Sequence, residues 1–149
     1  MPSRRILPLI AVIAVLALTL TMGEAHAGFR PARARAKLFS FVNHYRVDHG
    51  VRRLRESHDV DHVAQHHSKR MGSARTLFHS SSMWTKLKGH HVSCWAENIG
   101  MGPSVWRVFK GWVRSSEHRA NMLNRHYRRT GIGVSRSHGY LWVTMIYYG

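Results

Sequence analysis

His79, Glu97 and His118 are polar residues set among apolar neighbours. They lie in Leu77-Phe78-His79-Ser80, in Trp95-Ala96-Glu97-Asn98-Ile99 and in Ser116-Glu117-His118-Arg119-Ala120. Residues in such settings are either hydrogen-bonded parts of a core or members of a site. Two imidazoles can share a divalent cation such as zinc. A carboxylate beside them can orient a ring or act as a base. Spacing alone does not bring the two histidines together, because 38 residues lie between them.

The other histidines are less suggestive. His66 and His67 are adjacent on a predicted helix and point in different directions. His90-His91 falls in a predicted loop. The chain has no His-Glu-x-x-His pair, no Gly-x-Ser-x-Gly elbow and no Walker loop. Those absences argue against a zincin, a serine hydrolase of the elbow type and a P-loop enzyme. Ser80 beside His79 is not a catalytic pair by adjacency, since triads are assembled in space.

The elements that must position these residues follow from periodicity. Leu38, Phe41, Val42 and Tyr45, continuing towards His49, mark one helix that ends at Gly50. Val60, Val63, Ala64, His67 and Met71 mark a second, opening near Ser57–Asp61 and ending at Gly72 and Ser73. From Arg75 to Gly102 the signal is that of a loop. Ser104 caps a third helix with Val105, Val108, Phe109 and Trp112 inward. Ser115 and Ser116 break it, and a short helix follows with Ala120 and Leu123 inward. Thr130–Ser135 and Tyr140–Tyr148 read as strands joined by a turn at Ser137-His138-Gly139. The order, helices followed by an antiparallel pair, is that of an α+β layer fold. Of the five tryptophans, Trp112 and Trp142 fall at core positions.

The chain of 149 residues allows one domain. Its start reads as an address. Arg4 and Arg5 precede an uncharged apolar run, Ile6 to Met22, and Ala25-His26-Ala27 fits a signal-peptidase site. Residues 1–27 are thus expected to be a signal peptide cut after Ala27. The alternative is an uncleaved anchor, for which the run is short. No second apolar run is long enough to span a bilayer. Residues 28–36 read as a flexible basic lead-in, and 37–149 as the folded domain.

The formal charge is +16, and losing Arg4, Arg5 and Glu24 with the leader makes it +15. Such a field favours anionic wall polymers or lipid headgroups. Export argues against nucleic acid as the natural partner. Cys94 is the one cysteine, so no internal disulfide forms.

Together these segments resemble the CAP superfamily (cysteine-rich secretory proteins, antigen 5 and pathogenesis-related 1 proteins), in its short bacterial SCP-like extracellular branch. Four pieces carry the resemblance: the helix with Asn43 and Arg46; Leu77-Phe78-His79-Ser80; Ala96-Glu97-Asn98-Ile99; and Trp112–Ser116 running through His118–Leu123 into Thr130–Val134. The resemblance implies an α-β-α sandwich, a small antiparallel sheet between helical layers. It also implies a cleft where His79 and His118 hold a divalent cation, supported by Glu97, Asn98 and Glu117. The chain departs from the family pattern where Ser115-Ser116-Glu117 replaces Ser-Pro-Gly. No acidic residue lies between Trp106 and Ser116, so the second glutamate of eukaryotic members has no direct counterpart. Glu117 is the neighbouring carboxylate available to replace it. The leading functional expectation is an extracellular binding protein for a hydrophobic or envelope ligand. The alternatives are a metal-dependent hydrolase with Glu97 as base, and a purely structural His/Glu network.

Overall fold

A computed structural model describes residues 28–149. The expected leader and its cleavage site at Ala27 lie outside the described residues. Helices α1 (Pro31–Asp48) and α2 (His58–Ala74) flank a two-residue strand β1 (Arg55–Glu56). The short helix α3 (Met83–Lys86) and strand β2 (Trp95–Gly102) follow. Helices α4 (Val105–Arg114) and α5 (Ser116–Leu123) lead to strands β3 (Arg129–Ser137) and β4 (Tyr140–Tyr148).

The sheet order is β1-β3-β4-β2. Hairpin β3–β4 and the pair β2–β4 are antiparallel, whereas β1 joins β3 in parallel. The sheet is therefore antiparallel through its three long strands and mixed at one edge. Helices α1, α4 and α5 cover one face. Their side chains Leu38, Val42, Val108, Phe109 and Trp112 pack on Ile132, Val134, Val143 and Met145. Helices α2 and α3 cover the other, where Val60, Ala64, Met83 and Leu87 meet Ile146 and Tyr148. The result is the expected α-β-α sandwich. Strand β4 is apolar on both faces because both faces carry helices.

Residues 31–36 form the opening turns of α1, not a flexible lead-in. Pro31 stands at the first helical position, where its missing N–H costs nothing. The C-terminus of α1 ends as expected, with Gly50 at φ +66°. Ser104 caps α4, its hydroxyl accepting from the Arg107 N–H at 3.3 Å. On α5 the inward phase is shifted: Met122 is buried while Ala120 is exposed.

The stretch expected as loop from Arg75 to Gly102 contains both α3 and an eight-residue strand, β2. Its two glycines, alanine and asparagine have low strand propensity, but pairing with β4 along all eight residues overrides it. Helix α2 rests directly on β3. A Cβ at Gly131 would lie 2.4 Å from the Val60 carbonyl carbon, and one at Gly133 2.2 Å from that of Ala64. Those two glycines let helix backbone meet strand backbone.

Candidate functional site

Strand β2 is an edge of the sheet, and successive side chains on it point to opposite faces. Glu97 and Asn98 therefore serve different layers. Glu97 turns towards α2, its partner on β4 being Ile146. Asn98 turns towards α4 and α5, opposite Met145.

The Glu97 side chain is 2% exposed. Its Oε2 accepts from His79 Nδ1 at 2.8 Å and from the Ser80 backbone N–H at 2.9 Å. This carboxylate thus fixes the loop after α2 and selects the His79 tautomer with its proton on Nδ1. The Nε2 lone pair of an exposed ring is left free. On the other side of the strand, Asn98 Nδ2 donates to the His118 carbonyl at 3.0 Å and to the Tyr147 hydroxyl at 3.2 Å. Asn98 Oδ1 accepts from Asn121 Nδ2 at 2.9 Å. Asn98 so ties α5, and with it His118, to the sheet. The His118 ring stacks on Trp112, with centroids 6.2 Å apart. Trp112 is itself fixed by its indole N–H on the Ile99 carbonyl at 2.8 Å. Gly100 makes room for that ring, since a Cβ there would lie 3.0 Å from Trp112 Nε1.

Partial burial pushes the His118 imidazole below its ordinary pKa; the charge on His79 pushes the same way, and Glu117 opposes both. His79 lies on the α2 side of β2 and His118 on the α5 side. Glu117 is exposed and makes no hydrogen bond or ion pair among the described residues.

His67, on the inner face of α2, also joins this site. Its Nε2–H donates to the Phe78 carbonyl at 2.7 Å and lies 3.9 Å from Glu97 Oε1. Burial drives its pKa down against the pull of Glu97, so the ring is neutral and the contact is not an ion pair. Both His67 Nδ1 and Glu97 Oε1 are buried without a partner. The available signal was a histidine at an otherwise apolar helical phase.

For a cation, the donor set is mixed. His79 has the carboxylate-oriented ring common among metal ligands, and the lowered pKa of His118 favours the unprotonated ring that a ligand must offer. Yet among the described residues no three His, Cys, Asp or Glu side chains are grouped to hold a metal. That falls short of the three protein ligands of a catalytic zinc site.

A separate groove of about 460 Å³ lies away from the histidines. It is formed by the start of α1, the β2–α4 corner and the β3–β4 hairpin. Phe29, Ala34, Val105 and Leu141 supply apolar lining, and Arg30, Arg33, Lys37 and Arg136 supply positive charge.

The layers and the strand order define a class of small α-β-α sandwich proteins. A family profile, CAP, described as the Cysteine-rich secretory protein family, matches residues 39–147; the chain belongs to this family. An uncharacterized membrane protein of Bacillus subtilis is 30% identical over 112 residues, covering 68% of this chain. The chain spans about a third (32%) of that relative's length. An outer surface protein from Borrelia burgdorferi is similar in structure, with a TM-score of 0.71 at 16% identity, covering 78% of this chain and 92% of its own. So is an extracellular protein containing an SCP domain from Bacillus anthracis, with a TM-score of 0.68 at 22% identity, covering 80% and 44%. A further neighbour, NaASP2 with Zn2+, has a TM-score of 0.56 at 14% identity, covering 76% and 78%. Among the described residues no helix is long and apolar enough to cross a membrane.

Proposed function

We propose that the protein is an exported binding protein that takes an anionic amphiphile into the groove at the start of α1. The carrying observation is the groove's composition: apolar lining for a hydrocarbon chain and four cationic side chains for an acidic headgroup. Its volume is in the range of small-ligand sites, roughly 300–1,000 Å³. Export is supported by the leader-like start of the sequence and by neighbours described as extracellular or outer-surface proteins. The high positive charge adds attraction to anionic envelopes. Binding is favoured over hydrolysis because Glu97 is committed to holding His79 and the Ser80 N–H. It is an orienting group rather than a base turned to a reacting atom.

The test is titration of the purified protein with cis-parinarate, a fluorescent long-chain carboxylate. Arg33→Glu with Lys37→Glu should weaken binding about tenfold, as expected for reversing two exposed charges. Ala34→Phe, which fills the groove, should abolish it. Unchanged affinity in both variants rejects the groove as the site.

A second reading has its own observation. The Glu97-oriented His79 ring, with its Nε2 free, and the neighbour NaASP2 with Zn2+ support a weakly held divalent cation at His79 and His118. Calorimetric titration with zinc should give 1:1 binding that is lost in both His79→Ala and His118→Ala. Weak binding indifferent to either change would assign it to the other histidines.

A further inference from the structure

At the opposite end of α1 the chain gathers arginines. Arg52, Arg53 and Arg55 come from the segment after α1, Arg128 immediately precedes β3, and Arg129 opens it. These five line one cavity of about 200 Å³. An adjoining hollow of about 350 Å³ adds Arg125 to Arg52 and Arg128. The parallel pairing of β1 with β3 sets Arg55 beside Arg129, and the Arg55 N–H donates to the Arg128 carbonyl at 2.9 Å. Among the described residues no carboxylate lies within 4.0 Å of any of the six.

Crowding like charges opposes folding unless something fixes the segments that carry them. That something is Arg46, which is 0% exposed. Its Nε donates to the Arg52 carbonyl at 2.8 Å. Its terminal nitrogens donate to the carbonyls of Met122 at 2.6 Å, Asn124 at 3.1 Å and Tyr127 at 3.2 Å. One buried guanidinium therefore staples both arginine-bearing segments through their backbones. It meets no carboxylate, so it adds its own charge beneath the cluster. The backbone that carries the arginines is fixed in advance, which lowers the ordering cost of binding.

From this geometry we propose that the arginine cavity is a binding site for a chain of phosphate groups. Guanidinium forks match phosphate oxygens two at a time, and five arginines line this one cavity. The cavity of about 200 Å³ has room for about two to three phosphate groups, each taken as two to three water volumes of ~30 Å³. The occupant is a free or polymer-borne phosphate chain and not a bilayer. The exposed large apolar side chains, Val47, Leu77, Trp84, Met101, Trp106 and Tyr140, line neither hollow, so nothing there inserts among acyl chains. The site is independent of the groove described above, since from Ala34 to Asp48 the helix rises about 21 Å.

The probe is sodium tripolyphosphate, titrated calorimetrically into the purified protein. Saturable 1:1 binding is expected, weakening steeply between low and 0.3 M salt. Arg52→Gln with Arg128→Gln should lower affinity roughly tenfold, the worth of two exposed charge pairs. Both side chains are exposed, so the melting temperature should hold. Arg52→Lys with Arg128→Lys should also lose affinity, because charge is kept and the fork is not. Arg33→Glu with Lys37→Glu should leave tripolyphosphate binding within twofold. An equal loss in that groove pair would overturn the proposal in favour of a diffuse basic field. Full rescue by the lysine pair would overturn the phosphate-fork recognition. Absence of tripolyphosphate binding, with capture by anionic phospholipid vesicles that is lost in Arg52→Gln/Arg128→Gln, would overturn it in favour of a membrane surface.

Discussion

Arg46 carries a charge into the core and satisfies it entirely with backbone carbonyls. Burial lowers its pKa, and Arg128 lowers it further while Tyr147 opposes them, yet a guanidinium stays charged at any ordinary pH. Arg46→Met should therefore cost about 3 kcal/mol or more in urea unfolding, since each buried acceptor left without a donor costs about 1–3 kcal/mol. His67 gives a pH dependence of definite sign. Burial holds its folded pKa below the ordinary 6.5, Lys86 and Arg70 push the same way, and Glu97 and the Phe78 carbonyl resist. Well above 6.5 both folded and unfolded forms are neutral there and the residue contributes nothing. As pH falls below that value the unfolded chain takes the proton first, so stability declines. Unfolding free energy measured from pH 7.5 to 5 should fall, and the slope should flatten in His67→Gln, which keeps a neutral donor for Phe78.

The elements divide by how their information is carried. Helix α4 was legible because Val105, Val108, Phe109 and Trp112 repeat at helical spacing, and all four are buried. The hairpin was legible because β-branched and aromatic residues flank a Gly-containing turn. Strand β2 was not legible. Glu97, Asn98, Gly100 and Gly102 are there for the contacts they make across layers, and those contacts erase the alternation that marks a strand. The site suffered the same way. His79, Glu97 and His118 were singled out from their settings, but His67, Asn121 and Tyr147 reach the site only through tertiary packing. On α5, Met122 displaced Ala120 from the core because Asn98 fixes the helix by the His118 carbonyl and Asn121. The β3–β4 turn offers a direct test. His138 holds φ +53° and Gly139 φ +79°, a pair suited to Asn-Gly. His138→Asn should raise stability by up to about 1 kcal/mol, since asparagine tolerates this region better; the melting temperature reports it.

At the scale of the whole molecule, charge is the dominant feature. A net +16 over 149 residues, with few ion pairs among the described residues, leaves the folded state repelling itself. Raising sodium chloride from 10 to 150 mM shortens the screening length from about 30 to about 8 Å. The melting temperature should rise over that range, and the same salt should weaken both anion sites. A protein destabilised by its charge and using that charge to bind should be stabilised by its own ligands.

The contact of α2 with β3 sets a further limit. Backbone touches backbone at Gly131 and Gly133, so the spacing of the two layers is not negotiated by side chains. In a saturation library, the apolar positions around this seam should accept many substitutes, because neighbouring side chains can readjust. The two glycines should accept none. Variation in this family of folds would then collect in the helices' outer faces and loops, with the seam as the fixed datum against which every drift is measured.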